Sequence, residues 1–359
     1  MPYLVRENLF ISNINHAAEI LQNGTVPPHN ITHILSVLSS ASISFFTEWR
    51  STLSIPVNQI SKLHVSDLPT AAKSALSPDK LLYSLEYAGK DLKLVRMAVP
   101  LKDTENENLL DYLEVCIDFI DRSRKEGGSV LVHCFAGVSR SASIIMAYLM
   151  KSENLSQEDA FESLRESCGL VCPNDGFLEQ LKMFEEMGFK VDHSSPVYKR
   201  FRLKILGENH FSGSRIDSSK LGEDPGMPVE TSSEVEGATK VENNHSPTYR
   251  CKKCRRIVAL QDHVVDHIPG EGETSFGWHK RRSGNPFNKS NESECSSIFI
   301  EPLRWMKDVE EGALEGKLSC VHCDARLGYF NWAGIQCSCG SWITPAFQLH
   351  KSRVDISPV

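Results

Sequence analysis

One stretch of the chain carries residues suited to attack on phosphorus: His133-Cys134-Phe135-Ala136-Gly137-Val138-Ser139-Arg140-Ser141. A cysteine is a nucleophile only as its thiolate, and the amides and dipole of a tight loop entering a helix lower the thiol pKa. The same inward-pointing amides bind an anion. Arg140, six residues after Cys134, offers a planar guanidinium that grips two phosphoryl oxygens at once. Gly137 sits where the backbone must come close to the anion, and Ser139 and Ser141 add hydroxyls. A packed small Cys134 and an Arg140 opening a solvated helix face would account for two of these residues but not for the spacing of all of them.

The flanks of the stretch indicate what positions it. Ser129 to Val132 is a short apolar, β-branched run, which predicts a buried strand, and Ala142 to Met150 is apolar at helical spacing. The reactive loop therefore joins a strand to a helix. Upstream, Leu9-Phe-Ile-Ser and Ile34-Leu-Ser-Val-Leu read as strands around a short helix at His16 to Leu21, an alternation that predicts an α/β sheet. Leu94 to Pro100 returns a strand to that sheet, and an acidic polar loop follows, Leu101-Lys-Asp103-Thr-Glu-Asn-Glu-Asn. Leu109 to Arg124 is helical, with Cys116 on its core face as packing. Ser156 predicts an N-cap with Glu158 and Asp159 in the first turn, and Pro173-Asn174 precedes a last helix to about Met187.

Three segments break this rhythm. Residues 40–92, Ser-rich at the start and holding Pro56, Pro69 and Pro78, show no strong period and read as surface decoration. Residues 207–248, rich in Ser, Gly, Glu, Pro and Asn, lack the apolar content to offset chain ordering and read as a flexible acidic linker. Just before it, Tyr198-Lys-Arg-Phe-Arg-Leu-Lys-Ile-Leu is basic and amphipathic, predicting an element docked on the first domain, with contact to nucleic acid or a partner as the alternative. The expected domains are 1–190, a segment 191–248, and 249–359.

Bulk composition narrows the classes. Of 359 residues, 40% are hydrophobic and 24% charged, with a net charge of −7, which argues against wholesale coating of nucleic acid. No run of eighteen apolar residues predicts a membrane span, and the start lacks the apolar core of a signal peptide. The expected setting is the nucleus and cytoplasm, where thiols stay reduced. The eleven cysteines then need another explanation, and seven of them lie after residue 250. Cys251-Lys-Lys-Cys254 and Cys320-Val-His-Cys323 have the spacing of zinc knuckles, Cys337-Ser-Cys339 is a third pair, and Cys295 stands alone. Seven thiolates fill one tetrahedral site and leave three, so a second site needs a histidine. Spacing leaves His263, His267, His279, His322 and His350 open.

The form His133-Cys134-x-Ala136-Gly137-x-Ser139-Arg140-Ser141 resembles the signature of the dual-specificity branch of the protein tyrosine phosphatase superfamily. The Ile11-Ser-Asn opening, the Ala17-Ala18 helix and the Pro173-Asn174-x-Gly176-Phe177-x-x-Gln180-Leu181 close are also similar, so the resemblance covers roughly residues 3–190, and the shorter connection in compact members implies that 40–92 is an insertion. Beyond the linker, Cys251-Lys-Lys-Cys-Arg-Arg256, Phe299 to Met306, Leu327-Gly-x-x-Asn331-Trp332 and Cys337 to Asp355 resemble one zinc-carrying subgroup, the dual specificity protein phosphatase 12 type.

This resemblance implies a cysteine-phosphatase α/β fold with a mostly parallel central sheet flanked by helices, plus a small β-rich zinc-binding domain. It implies Cys134 as nucleophile, with Arg140 and the loop amides of Phe135, Ala136, Gly137, Val138 and Ser139 as the phosphate cradle. His133 would orient the loop, Ser141 would assist release of phosphate from sulfur, and Asp103 would be the general acid, with Glu105 and Glu107 as rivals. In the subgroup an Asp-His pair follows the first knuckle, here Asp266-His267. That selects His267 and proposes Cys251, Cys254, Cys320 and Cys323 as one site, and His267, Cys295, Cys337 and Cys339 as the other. The implied cofactors are two structural zinc ions and none for catalysis. The loop lacks the lysines usual in inositol-lipid phosphatases of the superfamily, which favours phosphoprotein substrates. An alternative role is that of a zinc-domain adaptor in assembly of the large ribosomal subunit, touching pre-ribosomal particles or RNA through Lys252 to Arg256 and Lys280 to Arg282.

Overall fold

A parallel sheet puts its strands in the middle of a fold, and the apolar runs expected as strands lie there. The computed structural model describes residues 2–24, 30–67, 80–211, 221–227, 247–268, 270 and 295–357. The chain divides into two compact units, Met1–Ser195 and Pro196–Val359.

The first unit is built on strands β1 (Tyr3–Arg6), β2 (Leu9–Ser12), β3 (His33–Leu38), β4 (Val57–His64), β5 (Leu81–Ala88), β6 (Leu94–Pro100) and β7 (Val130–His133), in the order β1-β2-β7-β3-β6-β5-β4. The four central strands, β2, β7, β3 and β6, run parallel, and β1, β5 and β4 add antiparallel edges. Helices α1 (Ile14–Asn23), α2 (Ser44–Trp49), α3 (Leu110–Lys125), α4 (Arg140–Glu153), α5 (Gln157–Ser167) and α6 (Asp175–Glu186) accompany the sheet. Helix α4 is buried from Arg140 to Met150, which explains why its run is apolar on nearly every side. Ser156 accepts a hydrogen bond from Asp159 N and caps α5, satisfying one of the free amides at a helix start. Cys116 is wholly buried on α3 and burial pushes its thiol pKa up, so it packs rather than reacts.

The segment 40–92 is more than decoration. Helix α2 anchors Phe46 in the core, and β4 and β5 continue the sheet outward from β6. Residues 68–79 lie outside the described residues.

The second unit begins earlier than the sequence suggests. The basic segment forms α7 (Pro196–Phe211), which falls in this unit and not in the first. Its Leu203 and Leu206 enter the core of Tyr249, Trp305, Phe330, Trp332 and Phe347, and Arg202 pairs with Glu301 at 2.7 Å. The rest comprises β8 (Thr248–Cys251), β9 (Ile257–Leu260), β10 (Ser297–Phe299), α8 (Lys307–Glu310), β11 (Glu315–Ser319), β12 (Arg326–Asn331), β13 (Ile335–Gln336), β14 (Trp342–Ile343), β15 (Ala346–His350) and β16 (Val354–Ser357). These make a sheet β16-β8-β9, a sheet β10-β15-β12-β11 and the pair β13-β14. Of the expected linker, residues 212–220 and 228–246 lie outside the described residues, as do His279 and Lys280 to Arg282. Among the described residues no helix is long and apolar enough to cross a membrane.

Candidate active site and metal centres

Strand β7 ends at His133 and α4 begins at Arg140, so Cys134 to Ser139 form the loop between them. Gly137 has φ +79, and a Cβ there would lie 2.7 Å from Ser12 O. Only glycine meets both demands. With Gly137 so placed, its N–H points at the Cys134 sulfur, 3.2 Å away, and the Ser141 hydroxyl donates to the same sulfur at 3.2 Å. The sulfur thus accepts from two protein donors, a backbone amide and a hydroxyl. Cys134 is 1% exposed while Phe135 is 45% exposed, so the sulfur lies at the bottom of the loop and the phenyl ring at its rim.

Arg140 is held from the other side: Nη1 donates to Leu101 O at 3.3 Å, and Nε stands 3.4 Å from Asp103 Oδ2. Asp103 also accepts from Ser139 Oγ at 2.6 Å and from Asn174 Nδ2 at 2.9 Å, both on Oδ1. Asn174 binds three ways, since its amide N–H donates to Ser139 Oγ at 3.2 Å and its Oδ1 caps α6 by accepting from Phe177 N at 2.9 Å. The loop after β6 is further tied down by Gln180, whose Oε1 accepts from Leu109 N at 2.7 Å and whose Nε2 donates to Glu107 O at 2.9 Å. At Gly176 a Cβ would lie 2.2 Å from Glu105 O, so α6 is pressed against the acidic loop. Of the three carboxylates in that loop, Asp103 is bonded to the phosphate-loop residues. Glu107 instead pairs with Lys80 at 3.4 Å, and Glu105 contributes the backbone on which Gly176 rests.

His133 is fully buried and points away from solvent. Burial, followed by the nearby cations Arg96 and Arg140, pushes its pKa down to about 3, against a raising contribution from the Cys134 backbone. It is therefore a neutral imidazole at physiological pH. Its Nδ1 donates to Cys134 O at 3.1 Å and its Nε2 meets Ser36 Oγ at 2.7 Å.

The cysteines of the second unit gather into two clusters, Cys251 with Cys254, Cys320 and Cys323, and His267 with Cys295, Cys337 and Cys339, with ligand atoms within 4.8 Å of one another in each. Cys251 and Cys323 sulfurs are 3.7 Å apart and Cys254 and Cys320 sulfurs 3.6 Å. A tetrahedral ion bonded to sulfur at about 2.3 Å separates its ligands by about 3.8 Å. His267 Nε2 lies 3.3 Å from Cys339 Sγ and 3.4 Å from Cys295 Sγ, near the roughly 3.6 Å expected with one shorter metal–nitrogen bond. Both sets fit a tetrahedral metal ion in donor type and spacing. The knuckles are built alike: Cys251 N donates to Arg256 O and Cys320 N to Ala325 O, each at 2.9 Å. Arg255 and Asp324 take the left-handed conformation at matching positions. Every cysteine among the described residues is free of disulfide bonds.

Sequence reasoning placed Cys134, Arg140, Asp103, Ser141 and His133 in one site, and the structure brings them together. It missed Asn174, Gln180 and Gly176 as parts of that site, although all three stand in the closing motif. It also missed Ser36, a small polar residue set inside the apolar run of β3.

The fold, a parallel sheet with a phosphate loop between its central strand and a buried helix, together with a cysteine–arginine–aspartate site, defines a cysteine-dependent phosphatase. The profile described as "Dual specificity phosphatase, catalytic domain" matches residues 82–187. The chain is 40% identical over 262 residues to the human dual specificity protein phosphatase 12, covering 73% of this chain and 74% of that protein. It is 35% identical over 287 residues to the tyrosine-protein phosphatase YVH1 of Saccharomyces cerevisiae, covering 73% and 78%. Among solved structures it is similar to the Yvh1 phosphatase domain from Chaetomium thermophilum, at 26% identity and a TM-score of 0.32 over 50% of this chain and 92% of that one. The chain belongs to the dual specificity protein phosphatase 12 family.

Proposed function

We propose that this phosphatase hydrolyses phosphotyrosine and phosphoserine/threonine in proteins through a phosphocysteine intermediate at Cys134. The observation that carries the reading is the Cys134 sulfur accepting from Gly137 N and Ser141 Oγ at the floor of a loop closed by Arg140 and Asp103. The Cys134 thiolate attacks phosphorus in line, forming the S–P bond as the P–O bond to the substrate breaks. The amides from Phe135 to Arg140 and the Arg140 guanidinium hold the equatorial oxygens as charge shifts. Asp103 gives its proton to the leaving oxygen, then takes one from the water that attacks phosphorus in the second step. The S–P bond breaks, inorganic phosphate leaves, and Ser141 Oγ, donating to the sulfur, stabilises the departing thiolate. His133 moves no proton: it holds the Cys134 carbonyl.

The variable loop positions Phe135, Ala136, Val138 and Ser139 carry no lysine, which supports phosphoprotein over the more highly charged inositol lipids. Zinc is the ion proposed for the two clusters, one in each. It would be structural, because four protein donors leave no open position. The proposed setting is the nucleus and cytoplasm.

The adaptor role on pre-ribosomal particles or RNA is a second reading, favoured by a second unit with a core of its own. Its basic run offers it less than the sequence suggested. Lys253 Nζ donates to Cys323 O at 3.3 Å, Arg255 pairs with Asp355, and Arg256 pairs with Asp224 at 2.5 Å. Cys134→Ser separates the readings. Abolished turnover with stable capture of phosphoproteins, and loss of cellular function, supports the enzymatic role. Unimpaired cellular function of the same variant supports the adaptor.

A further inference from the structure

Behind the catalytic loop a line of buried polar side chains crosses four neighbouring strands. His133 ends β7, and Ser36 lies opposite it on β3. Arg96 Nε, on β6, donates to Ser36 Oγ at 2.9 Å, and Arg96 Nη1 bonds Glu86, its direct cross-strand partner on β5. Ser36, Arg96 and His133 have no solvent exposure and Glu86 has 6%. Phe46 of α2 packs on the line at two points, with the Arg96 guanidinium 5.6 Å and the His133 ring 5.9 Å from its ring centre.

A buried ion pair is a poor source of stability. Desolvating the two charges offsets most of their attraction, and an apolar pair of similar volume often does as well or better. The chemistry of the donors gives the pair another role. Arginine can only donate, so the Ser36 oxygen must accept from Arg96. Among the described residues the Ser36 hydroxyl has no acceptor besides His133 Nε2, so its proton is directed there and Nε2 accepts it. The imidazole proton is therefore left on Nδ1, the atom 3.1 Å from Cys134 O. We propose that Glu86, Arg96 and Ser36 are positioning residues that lock the His133 tautomer and so hold the Cys134 carbonyl aside, keeping the loop amides aimed at sulfur and phosphate. Glu86 serves by fixing the guanidinium and balancing its charge. With the wrong tautomer, the Nδ1 lone pair would face the Cys134 carbonyl oxygen and repel it. Both strands of the ion pair's ladder and α2 matter here, so the segment 40–92 supports the active site from behind.

The inference rests on Cys134 being the nucleophile. Two variants test it: Ser36→Ala, which removes the relaying hydroxyl and leaves the ion pair, and Glu86→Leu with Arg96→Met, which removes the pair without a net change of charge. The readouts are the pH dependence of Cys134 alkylation by iodoacetamide, and kcat and KM on an aryl phosphate. The expected result is a rise of about one unit in the alkylation pKa and a fall in kcat of about tenfold or more, a tautomer effect acting through the nucleophile. KM should change less than kcat, and Ser36→Thr, which keeps a hydroxyl, should recover most of the loss. An unchanged alkylation pKa and kcat in folded Ser36→Ala overturns the proposal, whether or not the double variant folds. Turnover that survives Cys134→Ser in the otherwise unaltered chain would overturn the phosphatase reading instead, so the two failures are distinguishable.

Discussion

The close approach of α6 to the acidic loop gives the sharpest test of how the proposed general acid, Asp103, is placed. In Gly176→Ala the new methyl carbon would sit 2.2 Å from Glu105 O and 2.6 Å from Glu105 Cα, where ordinary contact begins at 3.4 Å. Backbone atoms cannot rotate away as a side-chain tip can, so the loop must retreat by about 1 Å or more. Asp103 lies two residues before Glu105, and its bonds to Ser139 and Asn174 span only 2.6 and 2.9 Å, too short to survive that shift. A misplacement of about 1 Å costs on the order of 10²-fold in rate, which is about 2.7 kcal/mol of transition-state stabilisation. Helix propensity alone would make the variant more stable by up to about 1 kcal/mol, so loss of activity could not be put down to a weaker helix. The assay compares kcat for an aryl phosphate with a good leaving group and for one with a poor leaving group, alongside iodoacetamide alkylation of Cys134. The fall should be largest for the poor leaving group, which needs the proton, and alkylation should be unchanged because the phosphate loop is not displaced. A kcat within threefold of the parent on both substrates would refute the placement of the acid by α6.

Asp103→Asn should lower kcat by about 10²- to 10⁴-fold with little change in KM, while Glu107→Gln should change kcat by less than tenfold; steady-state kinetics on one phosphopeptide decides between them. Because the native His133 pKa is about 3 and the ordinary value 6.5, the unfolded chain binds a proton that the native one refuses between those pH values. Stability is therefore lost as pH falls through that window, by up to about 1.4 kcal/mol per pH unit. His133→Asn should flatten that slope in denaturant titrations of the phosphatase unit, and a slope unchanged from the parent would count against the buried neutral imidazole. Metal analysis should find two ions per chain, and Cys320→Ser should remove one of them. Stripping both should cost the second unit its β structure by circular dichroism, since each site is worth on the order of 10 kcal/mol to a small domain.

The phosphate loop was legible because all of its chemistry is contiguous, and a strand, a glycine and a helix start can be recognised locally. The zinc-type cysteines were legible for the same reason, two residues at a time. The polar line behind the loop was not. Its members are 10, 60 and 97 residues apart, and they meet only because β5, β6, β3 and β7 are neighbours in the sheet. Strand β5 also hides its own period: the residues it buries are Leu82, Ser84, Glu86 and Ala88, so a polar pair occupies the core face while Tyr87 is exposed. Strand β4, exposed along most of its length, carries Val57, Ile60 and Leu63 three residues apart, which does not match the alternation of a strand. That is why segment 40–92 read as decoration.

By itself, then, the order of amino acids determined the proposed nucleophile and phosphate grip, the acidic loop and the pairs of thiols with metal-ligand spacing, since each depends on neighbours in the chain. Tertiary structure alone decided which carboxylate meets Arg140, which knuckles lie together, that α7 belongs to the second unit, and that a buried arginine reaches the histidine beside Cys134. Those contacts depend on strand order and helix packing, which bring together groups that the chain keeps far apart.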